Sequence, residues 1–256
     1  MTPQVVVAPT ADALVADVVA QLVPTLRNAI EEHGRAALAL TAGSVMESVW
    51  TAIAASSGAR ELDWASVDVF FGDERFVPEG TADRNALPAR TILFDLEPFS
   101  AAAWYPMPSS DGEFGDDLDA AAAGYAATLA AARRPDDTGG VPSFDVVLLG
   151  IGPDGHCCSL FPDHPSAVDP STGSGQARPL VIAVRDSPKP PPLRISLSFG
   201  GLNTARQIWV VASGAGKAEA AMLALGGADP RKVPSAGARG TDRTIWFLDQ
   251  DAASQL

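Results

Sequence analysis

Apolar residues along the chain follow two spacings in turn, which predicts repeated strand and helix units. Short apolar runs, typical of buried strands, alternate with longer stretches in which apolar residues recur every three or four positions, typical of amphipathic helices. The clearest helical pattern consists of Leu14, Val18, Leu22, Leu26 and Ile30. Units of this kind build a parallel sheet with helices packed on it.

These patterns locate the elements and indicate the fold class. The predicted strands are 5–7, 36–40, 67–71, 144–149, 180–184, 194–199, 207–212 and 244–248. One predicted helix carries the pattern from Leu14 to Ile30, and a second has Val45, Val49, Trp50 and Ile53 on one face. Further helices are predicted at 85–94, 116–132 and 215–225. We therefore expect an α/β fold: a mostly parallel, open twisted sheet of Rossmann-like type with helices on both faces and room for a small additional sheet. A single domain over residues 1–256 is expected.

Three stretches rich in glycine, proline and serine interrupt the alternation, at 133–143, 164–178 and 226–242. Their composition predicts surface loops. The loop 164–178 directly follows the chain's most distinctive glycine-containing segment, which makes it a candidate lid.

Charge and apolar content restrict the partners of the chain. A hydrophobic content of 46% in 256 residues is ample for a core, and the formal net charge of −13 repels nucleic acid and anionic membranes. Asp12 and Asp17 interrupt the N-terminal apolar stretch before it resembles a signal or membrane-spanning segment. We expect a cytoplasmic protein without nucleic-acid or membrane partners, as a monomer or weak homo-oligomer. An anionic ligand would need a local basic pocket.

The two cysteines, Cys157 and Cys158, are adjacent. Their Cα atoms lie about 3.8 Å apart, below the usual disulfide range, so free thiols in a reducing compartment are expected. Zinc binding with His156, Asp163 and His164 is the alternative, but adjacent cysteines lack the usual CxxC spacing. We expect neither a metal nor a cofactor.

The segment 144–156 combines a buried strand with groups suited to chemistry. Its apolar run is interrupted only by Asp145, and a turn with Gly150, Gly152, Asp154 and Gly155 then leads to His156 at an apparent helix start. Glycines allow a ligand to approach the backbone, and ligands bind at the carboxyl edge of such sheets. The alternative is that Asp154 and His156 merely cap a turn.

Ser44 and Glu47 match a helix capping box, Ser-x-x-Glu. The same segment also suits an anion, because Ala42, Gly43 and Ser44 can offer backbone N–H groups and a hydroxyl at a helix N-terminus. Both interpretations are compatible.

Charged residues follow other strands at the same predicted edge. Asp73, Glu74 and Arg75 come directly after the strand 67–71, although a surface ion pair is the alternative. Arg194 follows a rigid run of three prolines, which suits bidentate binding of phosphate oxygens; an arginine pointing into water is the alternative.

Lys217 is predicted in the first turn of a helix, where a cation opposes the helix dipole unless an anion binds nearby. Asn85 is either a support for the 73–75 loop, together with Arg84, or a helix cap.

Common hydrolase motifs are absent from the sequence. It contains no GxSxG nucleophile elbow and no HExxH zinc motif, so an acyl-enzyme route is not expected. Water activated by a general base is sufficient for an activated ester such as a lactone.

Four segments resemble, in order, those of the 6-phosphogluconolactonases. GIGPDGHCCSLFP resembles the family's GxGxDGHxxSLFP, and FFGDERFVPEGTADRNA is similar to its DERxVPxxxxxSN stretch. LTAGSVMESVW resembles its glycine-serine phosphate loop, and SPKPPPLRISLSF its PKPPxRITLT stretch. Ala42 and Val45 depart from the family's SGGSTP, which puts phosphate affinity through this loop in question.

The resemblance implies hydrolysis of 6-phospho-D-glucono-1,5-lactone, a small phosphosugar lactone, in the oxidative pentose phosphate pathway. It implies that His156 is the general base and that Asp73 orders the pocket or His156. The residues expected to bind the anionic substrate include part of the glycine turn. They are Gly43, Ser44, Arg75, Gly152, Asp154, Gly155, Arg194 and Lys217. We expect the backbone N–H groups of that turn to stabilise the oxyanion.

Two alternatives stay open. The first is a sugar-phosphate isomerase or deaminase of the same superfamily, such as glucosamine-6-phosphate deaminase. Such a relative carries an acidic FNEP-like segment after the histidine, where this chain has Ser159 to Pro162. The second is a non-catalytic sugar-phosphate sensor.

Overall fold

The computed structural model describes residues 2–167 and 179–256. The predicted lid at 164–178 therefore lies mostly outside the described residues. The strands are β1 (Gln4–Ala8), β2 (Ala36–Leu40), β3 (Val67–Phe71), β4 (Asp73–Arg75), β5 (Ala103–Trp104), β6 (Val146–Gly150), β7 (Val181–Val184), β8 (Arg194–Leu197), β9 (Gln207–Ala212) and β10 (Arg243–Asp249).

The α-helices are α1 (Ala11–His33), α2 (Ser44–Ala55), α3 (Ser57–Arg60), α4 (Ala86–Ala89), α5 (Leu118–Ala131), α6 (Phe199–Leu202) and α7 (Ala218–Leu225). A π-helical turn, Arg90–Phe94, continues α4. Short 3-10 turns are Trp64–Ser66, Phe99–Ala101, Pro165–Ala167, Ala215–Lys217 and Pro234–Gly237.

Seven strands form one sheet in the order β1-β10-β9-β6-β2-β3-β5, and all its pairings are parallel. Every residue of β2 and β3 is buried, which requires cover on both faces of the sheet. A second sheet, β4-β8-β7, is antiparallel. The predicted α/β class, the mostly parallel sheet and the small additional sheet are confirmed.

The chain order reverses between β2 and β6. From this point β2 and β3 extend the sheet in one direction, and β6, β9 and β10 extend it in the other. Thr41 joins the two halves: its hydroxyl donates to Leu148 O at 3.1 Å and accepts from Gly150 N at 3.0 Å. A crevice at such a reversal, outside the carboxyl ends of the strands, is where open α/β sheets bind ligands.

Helix α1 shows how the sequence pattern becomes packing. The Thr10 hydroxyl accepts from Ala13 N at 3.2 Å at its start, and Gly34, with φ 78°, ends it in the left-handed region. Its length and composition would also suit a membrane span. However, its apolar stripe, including Leu14, Val18 and Leu22, is buried against the sheet.

Several predicted elements start a few residues from their observed positions, and two of these differences bear on the site. The strand predicted at 144–149 begins at Val146, because the Asp145 carboxylate instead accepts from Ala37 N and Arg134 Nη1, at 2.8 and 2.9 Å. The helix predicted at 85–94 divides into α4 and the π-helical turn. Asn85 occupies the N-cap position of α4, as one of the two interpretations expected, but its side chain makes no capping bond to the helix.

Candidate active site

A cavity of about 540 Å³ lies at the carboxyl edge, over the reversal between β2 and β6. Its walls come from the segments that follow β2, β3, β6 and β9, together with the start of β8. Among the predicted residues, the lining includes Gly43, Ser44, Asp73, Arg75, Gly152, His156, Arg194 and Lys217. The structure thus brings together residues that are up to 174 positions apart in the sequence.

The turn after β6 folds back so tightly that His156 lies over Gly152. A Cβ at residue 152 would overlap the imidazole ring, so glycine is required there. Gly152 N donates to His156 O at 2.9 Å, and Gly155 N donates to Gly152 O at 3.0 Å. Because Gly150 N is bound to Thr41, all three glycine N–H groups are engaged. The structure therefore leaves none of these three groups unpaired, and stabilisation of an oxyanion by the turn stays a prediction.

His156 does not begin a helix, contrary to the expectation from the sequence. Cys158, with φ 48°, is in the left-handed region, and an isolated bridge joins Cys157 to Leu160. Pro162 follows two residues later and lacks the N–H that a helix would need. The segment is instead a compact turn that packs His156 against Phe161, with ring centroids 4.9 Å apart.

The Asp154 carboxylate contacts both His156 and Lys189. Asp154 Oδ1 lies 2.5 Å from His156 Nδ1, and Lys189 Nζ lies 3.1 Å from both Asp154 Oδ2 and His156 Nδ1. Burial raises the pKa of Asp154, but the His156 hydrogen bond and the Lys189 ammonium more than offset it and hold that pKa well below its usual range. Asp154 is therefore a carboxylate that orients the imidazole.

Arg194 is buried and held rigidly. Its side chain is 4% exposed, and its Nε and Nη2 donate to the carbonyls of Lys189, Pro190 and Pro191 at 3.0–3.2 Å. Its guanidinium carbon lies 5.5 Å from the Phe161 ring centroid. Burial lowers the pKa of Arg194 and nearby Arg75 lowers it further, against the effect of Asp73. The alternative of an arginine pointing into water was wrong.

Arg75 supplies a second guanidinium to the cavity. Its Nη1 donates to Asp83 O at 2.7 Å, while its buried Nε has no partner among the described residues. A buried donor without a partner costs free energy unless a ligand or water satisfies it. Arg75 therefore retains donors for an anion.

Lys217 closes another side of the cavity. It ends the turn Ala215–Lys217 and precedes α7, and its Nζ donates to Ile151 O at 2.8 Å. Burial, followed by the charge of Lys189, lowers the pKa of Lys217. A half-buried ammonium near other cations is favoured when an anion neutralises it.

The N-terminus of α2 also lines the cavity, and its cap differs from the predicted capping box. Gly43, with φ 142°, is the N-cap, and Ser44 is already the first helical residue. No side-chain capping bond forms, so the capping-box interpretation of Ser44 and Glu47 was wrong. The first backbone N–H groups of α2 and the exposed Ser44 hydroxyl remain available to an anion.

Asp73 is held by groups other than His156. Its Oδ2 accepts from Ser159 Oγ at 2.7 Å, and its Oδ1 lies 3.3 Å from Asn85 Nδ2. Among the described residues, no hydrogen bond joins Asp73 to His156. Asp73 thus ties the segment after β3 to the segment that contains His156.

Glu74 fixes the backbone of the segment that follows β3. It is fully buried; its Oε1 accepts from Arg75 N and Asn85 N, and its Oε2 accepts from Ala86 N, at 2.6–2.9 Å. Arg84 Nε lies 3.4 Å from Glu74 Oε2. Burial raises the pKa of Glu74, and the Arg84 charge and these donors oppose the shift. The predicted support of the loop by Arg84 and Asn85 is confirmed.

Among the predicted site residues, Gly155 does not line the cavity. Gly155, with φ 79°, packs beneath it, where a Cβ would lie 2.7 Å from Val233 Cγ1. Cys157 and Cys158 are free and buried, which raises the pKa of both thiols. Within residues 2–167 and 179–256, no cluster of His, Cys, Asp or Glu is arranged to hold a metal ion.

Comparison with known proteins decides the family. Residues 9–246 match the model of the glucosamine-6-phosphate isomerases/6-phosphogluconolactonase family. The chain belongs to this family. A 6-phosphogluconolactonase from Streptomyces coelicolor is 43% identical over 255 residues, covering 100% of this chain and 95% of the relative. The human 6-phosphogluconolactonase is 36% identical, covering 88% of this chain and 82% of the relative.

Solved structures of the family share the fold. The 6-phosphogluconolactonase from Trypanosoma brucei has a TM-score of 0.83 at 26% identity, covering 99% of this chain and 98% of that one. A monomeric glucosamine-6-phosphate deaminase has a TM-score of 0.73 at 18% identity, covering 99% and 100%. The fold alone therefore does not distinguish lactonase from deaminase, and the side chains of the site must do so.

Lys189 is a residue of the site that the sequence analysis missed. Lys189 lies in the segment similar to PKPPxRITLT, but the sequence analysis assigned it no role. The cis peptide between Pro190 and Pro191 and the bonds from Arg194 to the neighbouring carbonyls shape this segment. Its lysine points back to Asp154 across 35 positions of sequence, and no local pattern indicates such a contact.

Proposed function

We propose that this family member hydrolyses 6-phospho-D-glucono-1,5-lactone to 6-phospho-D-gluconate, the second step of the oxidative pentose phosphate pathway. One observation carries the proposal: a carboxylate-oriented histidine lies in a cavity that also contains Arg75, Lys189, Arg194 and Lys217. The chain as a whole has a formal net charge of −13, so this local concentration of cations suits an anionic substrate.

His156 acts as the general base. The Asp154 carboxylate can only accept hydrogen bonds, so it selects the tautomer with hydrogen on Nδ1 and leaves Nε2 to take a proton. Water attacks C1 of the lactone as Nε2 removes its proton. The tetrahedral intermediate then breaks the bond from C1 to the ring oxygen, and the imidazolium returns the proton to that oxygen. One water is consumed and a carboxylic acid forms, which ionises at neutral pH.

Lys189 has two roles in this proposal. Its ammonium holds Asp154 opposite the imidazole, and it is the cation closest to the base, 3.1 Å from Nδ1. Because the glycine N–H groups are engaged within the turn, positive charge for the developing oxyanion comes from Lys189. Asp73 positions the wall of the pocket through Ser159 and Asn85.

The phosphate is held by Arg75, Arg194 and Lys217 together with Gly43 and Ser44 at the N-terminus of α2. Arginine donors suit phosphate oxygens geometrically, and the helix N-terminus adds unpaired N–H groups. Binding the phosphate fixes the ring so that C1 lies near the base, which converts binding energy into orientation. Ser44 contributes a hydroxyl, although Val45 provides none where a relative's loop has threonine.

The residues after His156 favour hydrolysis over deamination. Ser159 and Leu160 are buried, and the Ser159 hydroxyl is bonded to Asp73, so this stretch presents no carboxylate at the position of the acidic FNEP-like segment. A cytoplasmic location, a single domain, and a monomeric or weakly oligomeric state remain predictions.

Three parallel assays separate the candidate functions. We expect rapid hydrolysis of 6-phosphogluconolactone, much slower hydrolysis of unphosphorylated glucono-1,5-lactone, and no release of ammonia from glucosamine 6-phosphate. Ammonia release at a rate comparable to lactone hydrolysis would favour the deaminase. Tight binding of 6-phosphogluconate without turnover would favour the sensor.

The lowered pKa of Lys217 predicts a loss of anion affinity at alkaline pH. The ammonium form binds the phosphate, so affinity is retained below this pKa and falls as the pH rises through it, earlier than for an ordinary lysine. Titration calorimetry of 6-phosphogluconate binding from neutral to alkaline pH measures this loss. Lys217→Arg should retain affinity over the same range because its guanidinium stays charged. Equal losses in both proteins would exclude Lys217 titration as the cause.

A further inference from the structure

Asp249, at the end of β10, anchors the turn that leads to Lys217. It is 5% exposed, and its Oδ2 accepts from Ser213 Oγ at 2.5 Å. Gly214 N lies 3.0 Å from both carboxylate oxygens, and Ala252 N donates to Oδ1 at 2.8 Å. Burial raises the pKa of Asp249, but these hydrogen bonds lower it overall, so the group is a carboxylate.

The backbone between Ser213 and Lys217 needs such an anchor. Gly214, with φ 90°, is in a conformation that only glycine adopts readily, and Lys217 N donates to Gly214 O at 3.0 Å. This turn fixes the backbone position of Lys217, whose ammonium donates a hydrogen bond to Ile151 O. The Ser213–Asp249 contact is therefore separated from Lys217 only by this short turn.

We propose that Asp249 is a positioning residue for anion binding: it fixes the Ser213–Lys217 turn so that the Lys217 ammonium meets the substrate phosphate. This inference rests on the proposed function, in which Lys217 binds that phosphate. Asp249 itself is not among the residues that line the cavity, and its side chain bonds to Ser213, Gly214 and Ala252. It acts on affinity through the backbone that it holds.

The direction in which Asp249→Asn changes anion affinity distinguishes a positioning role from a direct electrostatic effect. A carboxylate near an anion site repels the anion, so removing its charge alone would strengthen binding. Asp249→Asn also replaces one acceptor oxygen by an NH₂ group, which cannot accept from Ser213 Oγ and leaves Gly214 N a single acceptor. If positioning dominates, the variant binds the anion more weakly even though it has lost a negative charge.

The test measures the Kd of 6-phosphogluconate, the product of the proposed reaction, by calorimetry at neutral pH. Asp249→Asn should bind about tenfold more weakly, because a site loosened by about 1 Å loses much of its binding. Asp251→Asn is the matched control. Asp251 is exposed and lies two residues after Asp249, so this variant removes an equal charge without breaking the anchor. Its Kd should stay within about twofold of that of wild type.

A double-variant cycle tests the route of the effect. If Asp249 acts through Lys217, then Asp249→Asn should cause little further loss in a Lys217→Met background. If Asp249→Asn does not fold, Ser213→Ala removes one bond to the carboxylate and leaves the Gly214 and Ala252 bonds. It should weaken binding about threefold, and this loss should also vanish in the Lys217→Met background.

Unchanged or tighter binding by folded Asp249→Asn would overturn the inference, as would losses that add to that of Lys217→Met. These outcomes leave the proposed function intact when wild type binds 6-phosphogluconate and hydrolyses the lactone. Wild type that neither binds the product nor hydrolyses the lactone would instead overturn the proposed function itself.

Discussion

His156→Ala is expected to lower kcat for 6-phosphogluconolactone by about 10²–10⁴-fold, the usual contribution of a positioned general base. The imidazole lies at the cavity wall with its Nδ1 held by Asp154, so its removal leaves water without a proton acceptor at C1. The phosphate-binding residues are untouched, and KM should change much less than kcat. Steady-state rates, corrected for spontaneous opening of the lactone, measure both parameters.

His33→Ala is the control for this loss. His33 is the last residue of α1 and precedes β2, so it lies toward the opposite edge of the sheet from the cavity. The variant should retain wild-type kcat and KM. A folded His156→Ala enzyme with wild-type kcat would remove His156 from the base role and leave the reaction to be explained by the cations alone.

Glu74→Ala is expected to lower the free energy of unfolding by about 3–5 kcal/mol, the cost of breaking a buried ion pair by removing one partner. Arg84 is 3% exposed and would lose the carboxylate beside it, and three backbone N–H groups would lose their acceptor. This is a large share of the roughly 5–15 kcal/mol that stabilises a typical domain. Denaturant titration measures it, provided the unfolding is cooperative.

Glu113→Ala serves as the matched control, because Glu113 is exposed in a surface loop and should shift stability by less than about 0.5 kcal/mol. Replacing both members of the pair, as in Glu74→Met with Arg84→Met, should recover part of the lost stability since no buried charge stays unpaired. Equal stability of Glu74→Ala and wild type would show that the buried pair does not hold the loop.

The sequence predicted those parts of the fold that depend on local pattern. Strands β2, β3 and β9 have the predicted bounds, because buried parallel strands are continuous apolar runs. Strand β4 was missed because its residues, Asp73–Arg75, are all charged and pair with β8 at distant sequence positions. Its conformation is fixed by that pairing, which no local preference indicates.

The site was predictable where a residue follows a strand, and less so where its partner is remote. His156, Arg75 and Lys217 line the cavity as their positions after β6, β3 and β9 suggest. The contact of Lys189 with Asp154 and that of Asp73 with Ser159 depend on tertiary packing. The internal hydrogen bonds of Gly152 N and Gly155 N were not predicted, because glycine spacing does not reveal which hydrogen bonds a turn makes.

The most direct test of the central claim is the initial rate of opening of freshly generated 6-phosphogluconolactone, with and without the wild-type protein, at neutral pH. The proposed function predicts that catalytic amounts of protein accelerate opening by orders of magnitude over buffer and that the rate saturates with substrate. A rate equal to that in buffer, from folded protein at several concentrations, would contradict it.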